Sequence, residues 1–256
     1  MELDLRGSGR RESSFELPSE AGRSAQVIAR GRNGAQYEIG RRAGDDRNFI
    51  DTKAFDGMQN KRFAMVGAHI AQSGFEVACH GQRWIDYQFV PEAVERADML
   101  RNIEVITRLI GRRPCGWYTG RPGPNTRRLV VEVGGFLYDS DAYNDDLPYW
   151  VRVGGRPHLV VPHTFDCNDS RLQRGGDFAT GDDFFTYCRD AFDWLYRLGN
   201  EGRPRMMTVS LHGRIIGRPG RIGALVRLLD HMQRHEGVWL CNREAIARHW
   251  TLHHPA

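Results

Sequence analysis

The chain is almost without lysine. Only Lys53 and Lys61 occur among its 256 residues, so nearly all of its 36 basic side chains are arginines. These arginines are scattered along the chain, and the formal net charge is a modest +4. Proteins that bind nucleic acid gather positive charge on one face. The composition therefore predicts no nucleic-acid partner and leaves a small polar or anionic molecule as the expected ligand.

Cysteine motifs and long apolar runs are also missing. The five cysteines are widely spaced and form no CxxC pair, which argues against a disulfide framework and a cysteine-based zinc cluster. No apolar stretch approaches the ~18 residues that a membrane-spanning helix needs. Residues 1–11 carry charges but not the apolar run of an export signal. We therefore expect a cytoplasmic protein with no membrane partner.

From about residue 75 the chain alternates between strand-like and helical patterns. The predicted strands are 75–79, 115–118, 136–138, 159–161, 206–211 and 238–241. The predicted helices are 91–110, 182–198, 223–232 and 243–250, with Gly111 expected to cap the first. This alternation predicts an α/β domain with a parallel sheet. No GxGxxG segment follows the first strand, which argues against a dinucleotide-binding fold.

Residues 1–73 differ in composition from the rest. The segment 1–47 is rich in Gly, Ser and Arg, and both lysines follow shortly after it. Three explanations stay open: a disordered or divergent segment, an insertion, or a stretch translated from a shifted reading frame. We predict an atypical N-terminal segment, 1–73, followed by one barrel domain, 74–256.

Polar side chains follow four of the predicted strands. They are His80, then Thr119 and Arg121, then Asp139 and Asp141, and finally His212 and Arg214. Because the carboxyl ends of parallel strands meet at one edge, these side chains are expected to form one active site. Each residue taken alone has a structural alternative, such as an aspartate that caps the following loop.

This set of residues suits the hydrolysis of an amide. A histidine with a pKa near neutrality can protonate a leaving nitrogen or activate water. An arginine can hold a carbonyl or a carboxylate through paired donors. The aspartates can orient a histidine or bind substrate N–H groups. Five aromatic side chains can stack on a planar ring or a sugar: Trp117, Tyr118, Tyr143, Tyr149 and Trp150. Core packing is the alternative for the aromatic side chains.

Several segments resemble the polysaccharide-deacetylase (NodB-homology) superfamily, and the pattern looks most like its metal-independent allantoinase branch. The longest are 80–87 (HGQRWIDY), 113–121 (RPCGWYTGR) and 135–149 (GFLYDSDAYNDDLPY). Shorter ones are 180–185 (TGDDFF), 211–214 (LHGR), 217–221 (GRPGR) and 246–250 (IARHW). The likeness covers about residues 74 to 250. It implies an α/β fold, a distorted seven-stranded TIM-like (β/α) barrel, and a homo-oligomer.

The resemblance also implies roles for single residues. His212 matches the general acid, His80 matches the first histidine of the His-x-x-x-His metal motif, and Arg121 matches the arginine that positions the catalytic acid group. With Asp139 these form the predicted catalytic set. Trp84 stands where the second metal histidine would be, and indole cannot bind zinc. The resemblance therefore implies no metal and no other cofactor, with a divalent metal such as zinc as the alternative.

The chain departs from the family at its N-terminal end. The acidic motif of the family's first strand has no counterpart, although 37–44 (YEIGRRAG) resembles the segment that follows it. Glu38 of this segment is a candidate substrate-binding residue. Residues 45–73 match poorly, so the barrel is expected to be incomplete at its N-terminus and to lack the family's general base.

Three functions follow from these observations. The first is an amide hydrolase that opens the hydantoin ring of allantoin to allantoate, in purine catabolism. There, His212 protonates the leaving nitrogen. The residues that would shape the pocket for this cyclic ureide are Trp84, Tyr118, Thr119, Asp141 and Arg214. The second function is N-deacetylation of a polysaccharide or peptidoglycan, and the third is a truncated, non-catalytic relative that binds a ureide or a partner subunit.

A second histidine pattern lies outside this set. His231 and His235 are four residues apart on a predicted helix, a spacing that is compatible with a metal ion. The glutamate of an HExxH motif is missing, and the helix is amphipathic. On sequence alone we therefore interpret the pair as part of a solvated helix face.

Overall fold

A computed structural model of the chain describes residues 68 and 70–256 and the backbone of two short strands at 28–29 and 49–50. Within these residues, eight strands have defined bounds: β1 Ile28–Ala29, β2 Phe49–Ile50, β3 Ala78–Cys79, β4 Gly116–Trp117, β5 Tyr138–Asp139, β6 Tyr149–Val153, β7 Arg156–Val160 and β8 Val238–Trp239. The α-helices with defined bounds in the described part of the chain are α1 Glu92–Ile110, α2 Thr126–Val133, α3 Gly181–Asn200, α4 Gly213–Ile216, α5 Pro219–Gln233 and α6 Arg243–His253. Two 3-10 turns lie at Tyr87–Phe89 and Asp169–Leu172. The division of the chain at residue 73 stays a prediction.

The main sheet has the strand order β2-β3-β4-β5-β7-β6. Neighbours from β2 to β7 pair in parallel, and β6 pairs antiparallel with β7. β1 and β8 form a separate antiparallel pair. This is the predicted α/β arrangement with a mostly parallel sheet. The parallel register brings the loops after β3, β4, β5 and β7 to one edge, which is where a site is expected.

The helices begin and end at recognisable sequence signals. Gly111 caps α1 in the left-handed conformation, with φ 77°, as predicted, and its N–H donates to the Thr107 carbonyl at 2.9 Å. Thr180 and Asp183 form a capping box at the start of α3. Pro219 occupies the first turn of α5, where its missing N–H costs no hydrogen bond. The four predicted helices are confirmed, with ends that shift by up to four residues.

Two features of the sheet differ from the prediction. The segment 206–211 forms no ladder and makes one parallel bridge, between Ser210 and Asn168. The prediction of a regular strand there is wrong, because its N–H groups find irregular acceptors: Met206 donates to the Asp146 carbonyl. The β6–β7 hairpin was not predicted. Its turn contains two glycines with positive φ, Gly154 at 56° and Gly155 at 79°, the conformation that a tight hairpin turn needs.

Three clusters of buried apolar side chains form the core. The first lies between α3 and α5 and includes Phe184, Phe192 and Leu228. The second joins α1 and α2 to the sheet, and the third joins β5 and β7 to α6. Each helix therefore buries one face against a neighbouring layer, and the strand-end loops are left to carry polar groups. No helix in the described part of the chain is long and apolar enough to cross a membrane.

A buried contact joins the segment before β3 to β5 and α6. Tyr138 donates from its hydroxyl to Glu76 Oε1 at 2.5 Å, and Glu76 Oε2 accepts from the Glu244 N–H at 2.9 Å. Burial raises the pKa of Glu76 above its usual range. Gly116 leaves room for the Tyr138 ring, because a Cβ at this position would lie 2.3 Å from the ring's Cζ and its hydroxyl oxygen.

Substitution of Gly116 by alanine is expected to lower the free energy of unfolding by about 1–3 kcal/mol, since the buried Tyr138 ring cannot move away. Gly223→Ala in α5 is the matched control, because a Cβ there meets no atom within 4 Å. Urea denaturation of both variants checks this. A Gly116→Ala protein as stable as Gly223→Ala would contradict the packing argument.

Candidate active site

Five polar or aromatic groups lie on the loops at one edge of the sheet. His80 follows β3, Tyr118 and Thr119 follow β4, Asp141 follows β5, and His163 lies three residues beyond β7. The register pairs Cys79 with Trp117 and Trp117 with Asp139, so consecutive strands end at the same level. His212 joins this edge from the loop before α4. The predicted gathering of strand-end residues is therefore what the backbone produces.

His212 is held by a buried aspartate. Its Nδ1 lies 2.5 Å from Asp169 Oδ1, and Asp169 Oδ2 accepts from the N–H groups of His212 at 2.8 Å and Ile216 at 3.1 Å. Burial raises the pKa of Asp169, and its bonds to His212 oppose that rise. Because Nδ1 faces the carboxylate, Nε2 is the ring atom that exchanges a proton with a ligand.

Sequence reasoning missed Asp169. It lies 43 residues from His212 and begins a 3-10 turn, with no motif spacing between the two. The contact depends on the bridge between Asn168 and Ser210, in which the Asp169 N–H donates to the Ser210 carbonyl at 3.0 Å. Only the folded chain reveals this pair.

Three rings stack on the loops after β3, β4 and β7, and Ser210 links this stack to Asp169. The ring centroids of His80 and Tyr118 lie 5.3 Å apart with 5° between the planes, and those of Tyr118 and His163 lie 4.8 Å apart with 16° between the planes. His80 Nδ1 donates to the Tyr118 carbonyl at 2.8 Å, since a carbonyl can only accept. The Tyr118 and Tyr143 hydroxyls are 2.9 Å apart. His80 and Tyr118 were predicted, and His163 was missed although it too follows a strand.

The protonation state of His163 follows from its neighbours. Arg243 Nη2 donates to Nδ1, because arginine has no acceptor. Nε2 therefore carries the hydrogen and donates to Ser210 Oγ at 2.7 Å. Burial, together with charge repulsion from Arg243 and His80, holds the pKa of His163 well below its usual range. His163 is thus a neutral, fixed ring, and Arg243 is a second buried group that sequence reasoning missed.

Asp141 organises the loop after β4. Its carboxylate accepts from the N–H groups of Thr119 at 3.0 Å and Gly120 at 2.8 Å, and from Thr119 Oγ1 at 3.1 Å. Burial and the nearby Asp139 charge raise the pKa of Asp141 to about 7. Two predicted site residues, Thr119 and Asp141, are therefore bound to each other.

Asp139 lies deeper than the other predicted residues. Arg127 donates to both of its oxygens, at 2.7 and 3.0 Å, and His158 Nε2 lies 2.9 Å from Oδ2. Burial opposes ionisation, but the hydrogen bonds from His158 and Arg127 outweigh it and hold the pKa of Asp139 below its usual range. Its 1% exposure and full set of partners favour an anchoring role over contact with a ligand. Arg127 and His158 are partners that sequence reasoning did not single out.

The remaining predicted residues lie at the periphery or outside the described chain. The Arg121 guanidinium lies 4.3 Å from the Trp84 ring centroid, and Trp84 is 61% exposed. Arg214 is exposed on α4. Phe165, which is 74% exposed, packs edge-on against Tyr143. These side chains give the site a rim of aromatic and cationic groups. Glu38 lies outside the described residues.

The described side chains do not fit a metal ion at this edge. Within residues 68 and 70–256, one group of three His, Cys, Asp or Glu donors lies close enough to share an ion, and it is Asp193, His231 and His235 on α3 and α5. Trp84, which the family resemblance aligns with the second metal histidine, is 61% exposed and contacts Arg121. His212 is committed through Nδ1 to Asp169. The donors present suit proton transfer better than coordination.

No family model matches the chain. A Schizosaccharomyces pombe protein whose name assigns it to the polysaccharide deacetylases is 42% identical over 211 residues, which are 76% of this chain and 66% of that protein. The crystal structure of a probable polysaccharide deacetylase from Pseudomonas aeruginosa PAO1 matches with a TM-score of 0.72 and 52% identity, over 77% of this chain and 66% of that one. The crystal structure of PuuE allantoinase matches with a TM-score of 0.72 and 51% identity, over 80% of this chain and 71% of that one.

The chain thus spans 66% of the length of the curated S. pombe relative. The solved structures confirm the predicted fold class and support the allantoinase branch within it. On the strength of these identities and of the shared fold, the chain belongs to the polysaccharide-deacetylase (NodB-type) superfamily, whose members hydrolyse C–N bonds of amides.

Proposed function

We propose that the protein opens the hydantoin ring of allantoin to allantoate, a step of purine catabolism. The observation that carries the proposal is the pairing of His212 with the buried Asp169. Asp169 is linked through Ser210 to His163, which stacks on Tyr118 and through it on His80. A histidine held by a carboxylate can act as a general acid. The 51% identity with PuuE allantoinase supports the same substrate.

In the proposed reaction, water attacks a ring carbonyl carbon, the ring C–N bond breaks, and the departing nitrogen takes up a proton. His212 supplies that proton from Nε2, because its Nδ1 is engaged by Asp169 at 2.5 Å. The Asp169 carboxylate stabilises the imidazolium that gives up the proton. The products are a carboxylate at the attacked carbon and an N–H at the former ring nitrogen.

The attacking water must also lose a proton, and we assign this step to His80. Its Nδ1–H donates to the Tyr118 carbonyl, so the lone pair of the ring lies on Nε2. A neutral imidazole in this tautomer can accept a proton from water. This assignment replaces the carboxylate base that the family motif would supply and that has no counterpart in the sequence.

The rim suits a small ureide. Arg121 is held over Trp84 and presents N–H donors that can bind a ring carbonyl. Arg214 on α4 lies two residues after His212 and can bind a second carbonyl or the developing carboxylate. Asp139 and Asp141 keep the loops of this pocket in place rather than touch the substrate. We propose no cofactor, and a homo-oligomer is the state that the family resemblance implies.

A second candidate is N-deacetylation of a polysaccharide or peptidoglycan. The S. pombe and P. aeruginosa relatives carry polysaccharide-deacetylase names, and Trp84 and Phe165 are exposed enough to stack on a sugar ring. Sugar deacetylation in this family uses a metal ion, and the described donors do not provide a site for it. Zinc remains the cofactor that this second function would need.

Purified protein is expected to convert racemic allantoin to allantoate at a rate that a chelator leaves unchanged, because the proposed proton transfers use only side chains. Allantoate production with and without EDTA checks this, and a chitooligosaccharide is the control substrate. Chelator-sensitive release of acetate would instead establish the deacetylase. Absence of turnover on both substrates by folded protein would favour a non-catalytic relative.

The His212→Ala protein is expected to lose about 10²- to 10⁴-fold in kcat, the usual contribution of a positioned general acid. Asp169→Asn removes the carboxylate that orients the ring and is expected to lower kcat strongly with a smaller effect on KM. His253→Ala on the exposed end of α6 is the control. Variants at His212 and Asp169 with the activity of the unchanged protein would refute the assignment.

The raised pKa of Asp141 predicts a pH effect on stability. The carboxyl binds a proton more tightly in the folded protein, with a pKa of about 7, than in the unfolded chain, where its reference value is 3.8. Its contribution is therefore fully present below pH ~4 and is lost as the pH rises toward 7. Unfolding free energies measured from pH 4 to 7 should fall relative to those of Asp141→Asn. A difference that does not change with pH would contradict the burial of a titrating carboxyl.

A further inference from the structure

A cluster of possible metal ligands lies on the two helices of the first core cluster, away from the strand-end edge. His231 and His235 are one turn apart on α5, so both project from the same face of that helix. Asp193 faces them from the neighbouring helix α3. One ligand atom from each residue can be chosen so that all three lie within 4.8 Å of one another. The site therefore spans two helices and two donor types.

The histidine rings are held in place by their surroundings. His235 Nδ1 donates to the His231 carbonyl at 2.9 Å, which leaves the lone pair of its ring on Nε2. This is the hydrogen bond that orients many metal-binding histidines. The ring also lies edge-on to Phe192 and Tyr196, at centroid distances of 5.1 and 4.7 Å. The His235 ring is thus held in one orientation by a hydrogen bond and by two aromatic neighbours.

His231 and Asp193 already meet. His231 Nε2 lies 2.6 Å from Asp193 Oδ1, and the Asp193 side chain is 45% exposed. A hydrogen-bonded pair between packed helices accounts for this contact alone. It does not account for the third residue, His235, which has a ring nitrogen within 4.8 Å of the other two ligand atoms. A metal ion would occupy the position between the three donors and take the place of the hydrogen that joins His231 to Asp193.

We propose that Asp193, His231 and His235 form a binding site for a divalent transition metal such as Zn²⁺, which links α3 to α5. Two imidazoles and one carboxylate suit Zn²⁺, Ni²⁺ or Cu²⁺ and do not suit Mg²⁺ or Ca²⁺, which prefer oxygen ligands. Water completes the coordination shell at the exposed side. The site shares no residue with the candidate active site, so the ion stabilises the helix pair and takes no part in hydrolysis.

The test uses full-length protein stripped with a chelator and titrated with ZnCl₂ by isothermal titration calorimetry. We expect one ion per chain, with affinity lowered at least about 10-fold by His231→Ala, His235→Ala or Asp193→Ala. The matched control is the double variant His249→Ala/His253→Ala, which removes another histidine pair one turn apart, on α6, with ring centroids 4.4 Å apart. It should bind Zn²⁺ like the unchanged protein.

A second measurement separates binding from misfolding and from an ion at the strand-end edge. Each variant is compared with itself in the absence of metal: added Zn²⁺ should raise the urea midpoint of the unchanged protein and leave the midpoint of each single variant where it was without metal. The double variant His80→Ala/His212→Ala should keep the same stoichiometry. Zn²⁺ binding that survives His231→Ala and His235→Ala, or that is lost in His80→Ala/His212→Ala, would overturn the proposal.

Discussion

One parallel bridge, between Asn168 and Ser210, determines how the candidate active site is assembled. Ser210 donates from its N–H to the Cys167 carbonyl at 2.8 Å and accepts at its carbonyl from the Asp169 N–H at 3.0 Å. One side of this bridge places the Asp169 carboxylate under His212. The other side places Ser210 Oγ against His163 and so connects to the ring stack. The segments around Asn168 and Ser210 lie outside the named strands, and a few backbone hydrogen bonds fix them relative to each other.

The buried carboxylates around the site differ in their electrostatic roles. Asp139 is surrounded by Arg127 and His158 and stays ionised, whereas Asp141 and Glu76 are bound mainly by neutral donors and hold protons more tightly. The difference follows from partner charge, because burial penalises the ionised form of all three. The sheet interior is thus held by one ionic cluster and the loops by neutral hydrogen bonds.

The helices could be predicted because their signals are local in the sequence. The candidate site could be predicted only in part, because several of its contacts join residues far apart in the sequence. Gly111 and the apolar period before it were enough for α1, and the polar residues after the strands were enough for His80, Asp141 and His212. The partners Asp169, His163 and Arg243 were not predictable, since each depends on chain segments far apart in sequence. The metal-compatible pair on α5 was visible in the sequence and was interpreted as a solvated face, because Asp193 joins it only through helix packing. The adjacent glycines Gly154 and Gly155 are the sequence signal for the β6–β7 hairpin, which the pattern of apolar runs does not reveal.

That hairpin has a consequence for the order in which the chain folds. β6 and β7 are joined by a two-residue turn and pair over five positions, from Tyr149–Val160 to Val153–Arg156. Such local pairing forms in about 1–10 μs, whereas the parallel pairs β3–β4 and β4–β5 must each first close a loop that contains a helix. We expect β5 to dock onto the finished hairpin, with Asp139 meeting His158 as the two join. The contact between Asn168 and Ser210 closes a longer loop, so the catalytic edge is completed late, after the scaffold beneath it has formed.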